Sequence, residues 1–292
     1  MRRLLLAALM AMACAVPSQA ADKLKVVASF SILGDLVRNV GGARVDVVTL
    51  VEGNGDAHVY TPAPADAKRL SEAQVVFVNG LGFEGWMSRL VRASGTKAPV
   101  VTVTAGITPR RSGDSGHDAD PHAWQSVANA KVYVANIRDA LIKADPAGKA
   151  DYETASTGYL AKLDALEKEL HETVARLPAE RRKVISTHDA FGYFEQAYGI
   201  DFIAPQGVST ESEASARDVA RIITQVKRLK IPAVFLENVV DPRLIKRIAQ
   251  ETGAKIGGTL YSDALTDEKG DAPGYIEMMR HNLRTLAAAL QS

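Results

Sequence analysis

Residues 145–178 read DPAGKADYETASTGYLAKLDALEKELHETVARLP, and this stretch predicts one unbroken helix around which the chain is organised. Asp145 is a suitable N-cap, and Pro146 suits the first helical turn because its missing N–H is not needed there. Pro178 ends the predicted helix. One apolar stripe recurs at steps of three and four residues, at Tyr159, Leu163, Leu166, Leu170, Val174 and Leu177. At ~1.5 Å per residue the helix would be about 45 Å long, enough to run along two lobes.

Short β-rich runs alternate with helical patterns on both sides of this helix. Before it, strands are predicted from Leu24, Val45, Val75 and Val100; after it, they are predicted from Lys183, Phe202 and Ala233, and residues 257–262 lead into Asp263. This alternation is typical of parallel α/β sheets. The predicted fold class is therefore α/β, with two lobes, each a parallel-sheet α/β sandwich, joined by one long helix. The predicted divisions are residues 22–144, 145–178 and 179–292.

Residues 1–21 have the pattern of a secretory signal peptide. Arg2 and Arg3 form a positive start, residues 4–16 are an apolar run too short to span a membrane comfortably, and small residues suit cleavage near Ala20 or Ala21. An uncleaved anchor and lipidation at Cys14 are the alternatives, although a poor lipidation motif precedes this cysteine. Since Cys14 is the only cysteine, its loss with the signal would restrict any metal site to nitrogen and oxygen ligands.

The composition is that of an ordinary soluble globular protein. The 292 residues are 47% hydrophobic and 24% charged, with a formal net charge of +1. A charge so close to zero gives no indication of a nucleic-acid or anionic-membrane partner. Indications of function must therefore come from individual side chains.

Three of the six histidines lie just after a predicted strand or in an irregular loop nearby: His58, His122 and His188. Asp263 has the matching place in the last strand-to-helix connection. In open α/β sheets this is the edge where ligands bind. Three imidazoles and one carboxylate suit Zn²⁺. Mn²⁺ is the alternative, although it usually prefers more oxygen. The spacing alone is a weak signal, since no short zinc motif joins any pair.

Other polar residues allow less specific interpretations. His117 lies in the polar loop 110–120 and is a candidate for transient metal contact. Asp120 and Asp189 each lie beside a candidate histidine and are either its hydrogen-bond partners or helix caps. Glu237 and Asp241 can be interpreted as part of a second acidic site, but capping explains them equally well.

Four motifs occur in order along the chain: DAHVY at 56–60, DPHAW at 120–124, HDAFGYF at 188–194 and YSDAL at 261–265. Together they resemble the zinc- and manganese-binding solute receptors of bacterial ABC importers, the group with a rigid helix between two lobes. The resemblance covers nearly the whole mature chain. It implies a periplasmic receptor, not an enzyme, that binds one divalent transition metal between its lobes and delivers it to the membrane permease of the importer.

The same resemblance implies the ligands of the transported metal. His58 and His122 would come from the first lobe, and His188 and Asp263 from the second. Manganese members usually have glutamate where this chain has His188, which favours zinc; a manganese-specific receptor is the alternative. Receptors of this kind are monomers by default.

The loop before the second histidine departs from the pattern of many zinc members. Residues 112–118 are short and contain a single histidine, whereas those members have a long loop rich in histidine and acidic residues. This difference argues against zinc capture by the loop. It also permits the hypothesis that a periplasmic metallochaperone supplies the metal.

Two other classes of protein fit part of the pattern. A secreted zinc-dependent hydrolase could use three histidines and an open coordination position to activate water. However, there is no His-Glu-x-x-His motif and no glutamate obviously placed as a general base. A surface adhesin with a structural metal is the third interpretation.

For the receptor, ordinary histidine pKa values of ~6.5 predict that metal affinity falls steeply below about pH 6.

Overall fold

A computed structural model of the protein describes residues 22–112 and 118–291. The predicted signal peptide, including Cys14, and the loop residue His117 lie outside the described residues. Within the described ranges, no helix combines the length and the apolar character needed to cross a bilayer.

The first lobe is built on a four-stranded parallel sheet with the strand order β2-β1-β3-β4. Its elements are β1 (Leu24–Phe30), α1 (Ser31–Gly41), β2 (Val45–Val51), α2 (Pro64–Glu72), β3 (Val75–Val78), α3 (Met87–Ser94) and β4 (Val100–Thr102). Every residue of β3 is buried, and so are six of the seven residues of β1. Central strands of a parallel sheet are covered on both faces, so they are apolar at consecutive positions rather than at alternate ones.

A small antiparallel pair and two long helices connect the lobes. β5 (Arg111–Ser112) pairs with β6 (Asp118–Ala119) inside the stretch 110–120 that the sequence predicts to be a polar loop. α4 (Val127–Ala144) then leads to α5 (Lys149–Ala175). The apolar stripe of α5 is buried as predicted. α5 contacts α1 of the first lobe, and it also contacts α6 and α9 of the second lobe, which are defined below.

The predicted bounds of the long helix, 145 and 178, are wrong at both ends. Residues Pro146–Gly148 form a separate 3₁₀ turn, in which the Asp145 carboxylate accepts a hydrogen bond from the Gly148 N–H. The same carboxylate pairs with Arg44 of the first lobe at 2.8 Å. At the other end the Arg182 guanidinium donates to the carbonyls of Ala175 and Leu177, and the α-helix stops at Ala175. One arginine distant in sequence, Arg44, and one nearby, Arg182, thus accompany the shortening to 27 residues.

The second lobe repeats the plan of the first. Its elements are β7 (Lys183–Ile185), α6 (Gly192–Tyr198), β8 (Asp201–Ile203), α7 (Ala216–Leu229), β9 (Ala233–Glu237), α8 (Arg243–Thr252), β10 (Lys255–Leu260) and α9 (Tyr275–Gln291). The parallel strand order is β10-β9-β7-β8. In each lobe the first strand lies between the second and the third. The prediction of a two-lobe α/β protein with two parallel sheets is therefore confirmed.

Candidate metal centre

The structure brings all four predicted site residues together. His58 lies in the loop after β2, and His122 follows the β5–β6 pair. His188 and Asp263 each come three residues after the end of a strand, β7 and β10 respectively. One ligand atom from each of the four side chains lies within 4.8 Å of the others. All four residues are buried, and His58 is the most exposed of them at 6%.

The four side chains point their donor atoms at one another. The Nε2 atoms of His58 and His122 are 3.3 Å apart. One oxygen of Asp263 lies 3.2 Å from His188 Nε2 and 3.3 Å from His58 Nε2, and its other oxygen lies 3.5 Å from His122 Nε2. Ligands placed tetrahedrally at ~2.1 Å from a common centre are about 3.4 Å apart. The spacing is therefore that of an N₃O set around one divalent ion.

His122 is oriented by a buried carboxylate two residues before it. Asp120 Oδ1 lies 2.8 Å from His122 Nδ1 and also accepts the backbone N–H of His122 at 3.0 Å. Asp120 is completely buried. A proton held on Nδ1 leaves the Nε2 lone pair facing the cluster, which is the tautomer that binds a metal. Of the two interpretations of Asp120, the structure therefore favours a partner of the histidine.

His188 has a carboxylate partner that the sequence interpretation missed. Glu237 Oε2 lies 2.6 Å from His188 Nδ1, while Oε1 accepts the backbone N–H groups of Thr187 and His188 at 2.6 and 3.0 Å. The sequence alone allows Glu237 to be part of an acidic site or a cap. The signal that could have identified it is its position as the last residue of β9, the strand beside β7. Asp189 contributes its backbone N–H to the Gly207 carbonyl.

His58 is held by a residue that also reaches across to the second lobe. Asp56 Oδ1 accepts the backbone N–H of His58 at 2.9 Å, and Asp56 Oδ2 accepts the Thr210 hydroxyl at 2.7 Å. Asp56, Thr187 and Thr210 line a cavity of about 550 Å³. The loop that carries His58 is therefore tied to the connection between β8 and α7.

Aromatic residues of the first lobe enclose the other side of the cluster. Phe83 packs edge-on against His58 and Trp124, with ring centroids 4.7 and 4.9 Å apart. Trp124 is fully buried, and its indole N–H donates to the carbonyl of Ser262 at 2.9 Å. This bond fixes the residue before Asp263 to the first lobe. Apolar surroundings of this kind strengthen electrostatic interactions within the cluster.

Opposite charges inside the cluster shift the pKa values of its histidines and of its aspartate. Burial alone would lower the pKa of His122, but Asp263 and Asp120 raise it to about 9. Burial opposes protonation of His188 in the same way, yet Glu237 and Asp263 hold its pKa well above the ordinary value. Burial would raise the pKa of Asp263, whereas the facing imidazoles of His188 and His122 hold it well below its usual range. The cluster without metal therefore retains protons that a metal must displace.

Known proteins match this chain over nearly all of its described length. A family model described as zinc-uptake complex component A, periplasmic, matches residues 26–289. The manganese-binding lipoprotein MntA of Halalkalibacterium halodurans is 36% identical over 274 residues, which cover 94% of this chain and 90% of the relative. The iron-binding protein YfeA of Yersinia pestis is 35% identical over 273 residues, covering 93% and 88%.

A solved structure shows the same fold. The periplasmic zinc-binding protein TroA from Treponema pallidum aligns with a TM-score of 0.88 at 31% identity, covering 92% of this chain and all of that one. The resemblance read from the four motifs is thereby confirmed. The matching proteins are binding receptors, so the interpretation as a secreted hydrolase is wrong. The chain belongs to the family of the periplasmic component A of zinc-uptake complexes, the metal-binding receptors of ABC importers, and it is not an enzyme.

Proposed function

We propose that this protein is a periplasmic receptor that binds one Zn²⁺ ion between its lobes and passes it to the permease of an ABC importer. His58, His122, His188 and Asp263 are the proposed ligands. The observation that carries the proposal is the convergence of three Nε2 atoms and one carboxylate, all buried, at tetrahedral ligand spacing. The proposal also divides the chain into an N-terminal lobe (22–144), a linking segment (145–178) and a C-terminal lobe (179–292).

The choice of zinc rests on the chemistry of the donor set. Three imidazole nitrogens and one carboxylate are a preferred zinc set, whereas manganese favours sites richer in oxygen. Manganese is the second candidate because MntA is named as manganese-binding. Both oxygens of Asp263 face imidazole nitrogens of the cluster, so a fifth, oxygen contact is within reach of a larger ion.

The proposed location is the periplasm, after cleavage of the signal peptide near Ala20 or Ala21. MntA is named as a lipoprotein, so the alternative is lipidation at Cys14, which would attach the protein to a membrane surface. The proposed partner is the membrane permease. A periplasmic metallochaperone is a further candidate partner, and transfer from it no faster than from free metal would argue against that role. The receptor is proposed to act as a monomer.

Capture of the ion joins the two lobes directly. Two proposed ligands come from each lobe, while α5 contacts helices of both, and its Glu169 pairs with Arg280 of α9 at 2.9 Å. A single helix packed along both lobes opposes wide hinge opening. We therefore expect metal exchange to require local movement of the loops around His188 and Asp263 rather than closure of whole domains.

Zinc affinity is expected to rise with pH up to about pH 9. His122 has a pKa of about 9 without metal, and that of His188 is also raised, so zinc must displace protons from both rings at neutral pH. Each displaced proton costs about tenfold in affinity per pH unit below the pKa. As the pH falls, zinc affinity thus begins to decline well above pH 6, the value expected for ordinary histidines. Chelator competition from pH 9 to pH 5, with calorimetry in buffers of different ionisation enthalpy, measures both the affinity and the protons released.

A stripped mature protein that binds one equivalent of zinc with this pH dependence supports the receptor. An affinity that stays flat from pH 7.5 to pH 5 contradicts a site made of three histidines.

Thr210→Val is expected to release zinc roughly tenfold faster than the wild type. The substitution keeps the shape of the side chain but removes the hydroxyl that Asp56 accepts across the lobes. A hydrogen bond to a charged acceptor contributes ~1.5–3 kcal/mol, and about 1.4 kcal/mol corresponds to a factor of ten. Stopped-flow transfer of zinc to a chelator measures the rate. Thr210→Ser retains the hydroxyl and is the matched control; equal rates for valine and wild type would exclude this bond as a restraint on release.

A further inference from the structure

Arg110 lies at the far end of a line of charged groups that leads to His122. Its Nη1 atom is 3.1 Å from Asp120 Oδ2, and the other oxygen of Asp120 lies 2.8 Å from His122 Nδ1. Asp120 is fully buried, while the Arg110 side chain is 27% exposed. The guanidinium is therefore in a position to balance a carboxylate that has left water completely.

We propose that Arg110 is a positioning residue for metal binding, an inference that rests on the function proposed above. A buried carboxylate is stabilised only when an opposite charge and hydrogen bonds accompany it. By holding one oxygen of Asp120, Arg110 keeps the other oxygen on His122 Nδ1. That contact holds the proton on Nδ1 and aims the Nε2 lone pair at the ion. Arg110 itself touches no proposed ligand of the metal in the contacts described above.

Gly192, in the second lobe, provides the space that the guanidinium occupies. A Cβ atom at this position would lie 2.1 Å from Arg110 Nη1 and 2.3 Å from Cζ. Gly192 is the first residue of α6, and its φ lies outside the left-handed region. The backbone therefore does not require glycine here, whereas the close approach of Arg110 does. Gly192→Ala should displace the guanidinium from Asp120 without changing any atom of the Arg110, Asp120 or His122 side chains.

Tyr193 offers a matched control in the same contact between the lobes. Its hydroxyl accepts the backbone N–H of Arg110 at 2.8 Å and donates to the backbone carbonyl of Asp120 at 3.1 Å. Tyr193→Phe removes both of these bonds, but it leaves the guanidinium and the carboxylate in place. It therefore distinguishes the effect of weakening the contact between the lobes from the effect of losing the Arg110–Asp120–His122 contacts.

The test compares zinc dissociation constants, by chelator competition, for Arg110→Met, Gly192→Ala, Arg110→Lys and Tyr193→Phe. Loss of a group that orients a metal-binding histidine typically costs 10–100-fold in affinity, and we expect roughly tenfold for Arg110→Met and Gly192→Ala. Arg110→Lys should recover much of the loss because an ammonium can still reach Asp120. Tyr193→Phe should bind zinc nearly as the wild type does. Thermal unfolding without metal checks that each variant is folded.

Two results would overturn the inference while leaving the receptor intact. One is wild-type zinc affinity in a folded Arg110→Met variant. The other is a loss in Tyr193→Phe as large as in Arg110→Met, which would assign the effect to attachment of the lobes. A wild-type protein that binds no zinc would instead remove the proposed function itself.

Discussion

Asp263→Asn is expected to weaken zinc binding by roughly a thousandfold at pH 9. Asp263 is the only anion among the four proposed ligands, and it is fully buried, with its oxygens 3.2–3.5 Å from three imidazole nitrogens. An amide of the same shape removes the charge that compensates the ion. Breaking a buried ionic contact typically costs 3–5 kcal/mol, which corresponds to roughly 10²–10⁴ in affinity. Chelator competition measures the difference between wild type and variant.

The deficit of Asp263→Asn should shrink as the pH falls. The carboxylate of Asp263 is one cause of the raised pKa values of His122 and His188. Without it these rings lose protons at lower pH, so protons compete less with zinc in the variant than in the wild type. Asp267→Asn is the matched control, because Asp267 is exposed and lies four residues further along the same loop. A variant that binds zinc like the wild type at pH 9 would exclude Asp263 as a ligand.

Glu237→Gln is expected to weaken zinc binding by roughly a hundredfold while leaving the protein folded. Glutamine can still accept the backbone N–H groups of Thr187 and His188 through its oxygen, as Glu237 Oε1 does. Its NH₂ group then faces His188 Nδ1 in place of the carboxylate oxygen at 2.6 Å. A donor at this position favours the tautomer with the proton on Nε2, and that proton points at the ion. Partners of metal-binding histidines typically contribute 10–100-fold in affinity, and a reversed tautomer belongs at the upper end.

Glu84 in the first lobe provides the control for Glu237→Gln. Like Glu237, it is a buried carboxylate, and it follows β3 by six residues in the sequence. It accepts hydrogen bonds from the Ser29 hydroxyl and from the backbone N–H groups of Asn79 and Gly80. Burial raises the pKa of Glu84. None of these partners is a proposed ligand, so Glu84→Gln should change stability but not zinc affinity. Equal losses of affinity in the two variants would mean that Glu237 acts through the fold rather than through His188.

The fold could be predicted largely because its signals are local. The apolar stripe of α5 and the consecutive buried residues of β1 and β3 follow from periodicity within single elements. The ends of the long helix could not be predicted in the same way. Arg44 lies 101 residues before its partner Asp145, and nothing in the helical pattern indicates that this ion pair forms at a 3₁₀ turn instead of a helix start.

The candidate site shows the same division between local and distant signals. The sequence points to His58, His122, His188 and Asp263 because each lies in a recognisable motif, just after a predicted strand or in an irregular loop nearby, whereas their spacing carries little information. Glu237 and His188 are 49 residues apart, and they meet because β9 lies beside β7. Arg110 meets Gly192 only through the packing of one lobe on the other. Contacts that depend on strand order and lobe packing are not visible in a single sequence.

The central claim is that one divalent ion binds to the three histidines and Asp263. The most direct test offers Zn²⁺ and Mn²⁺ together to the stripped mature protein and reads the bound metal by elemental mass spectrometry. The account predicts one equivalent of zinc in the wild type, and its loss in His188→Ala. One equivalent of manganese despite available zinc would assign the receptor to manganese. The absence of stoichiometric metal from the wild-type protein would contradict the account.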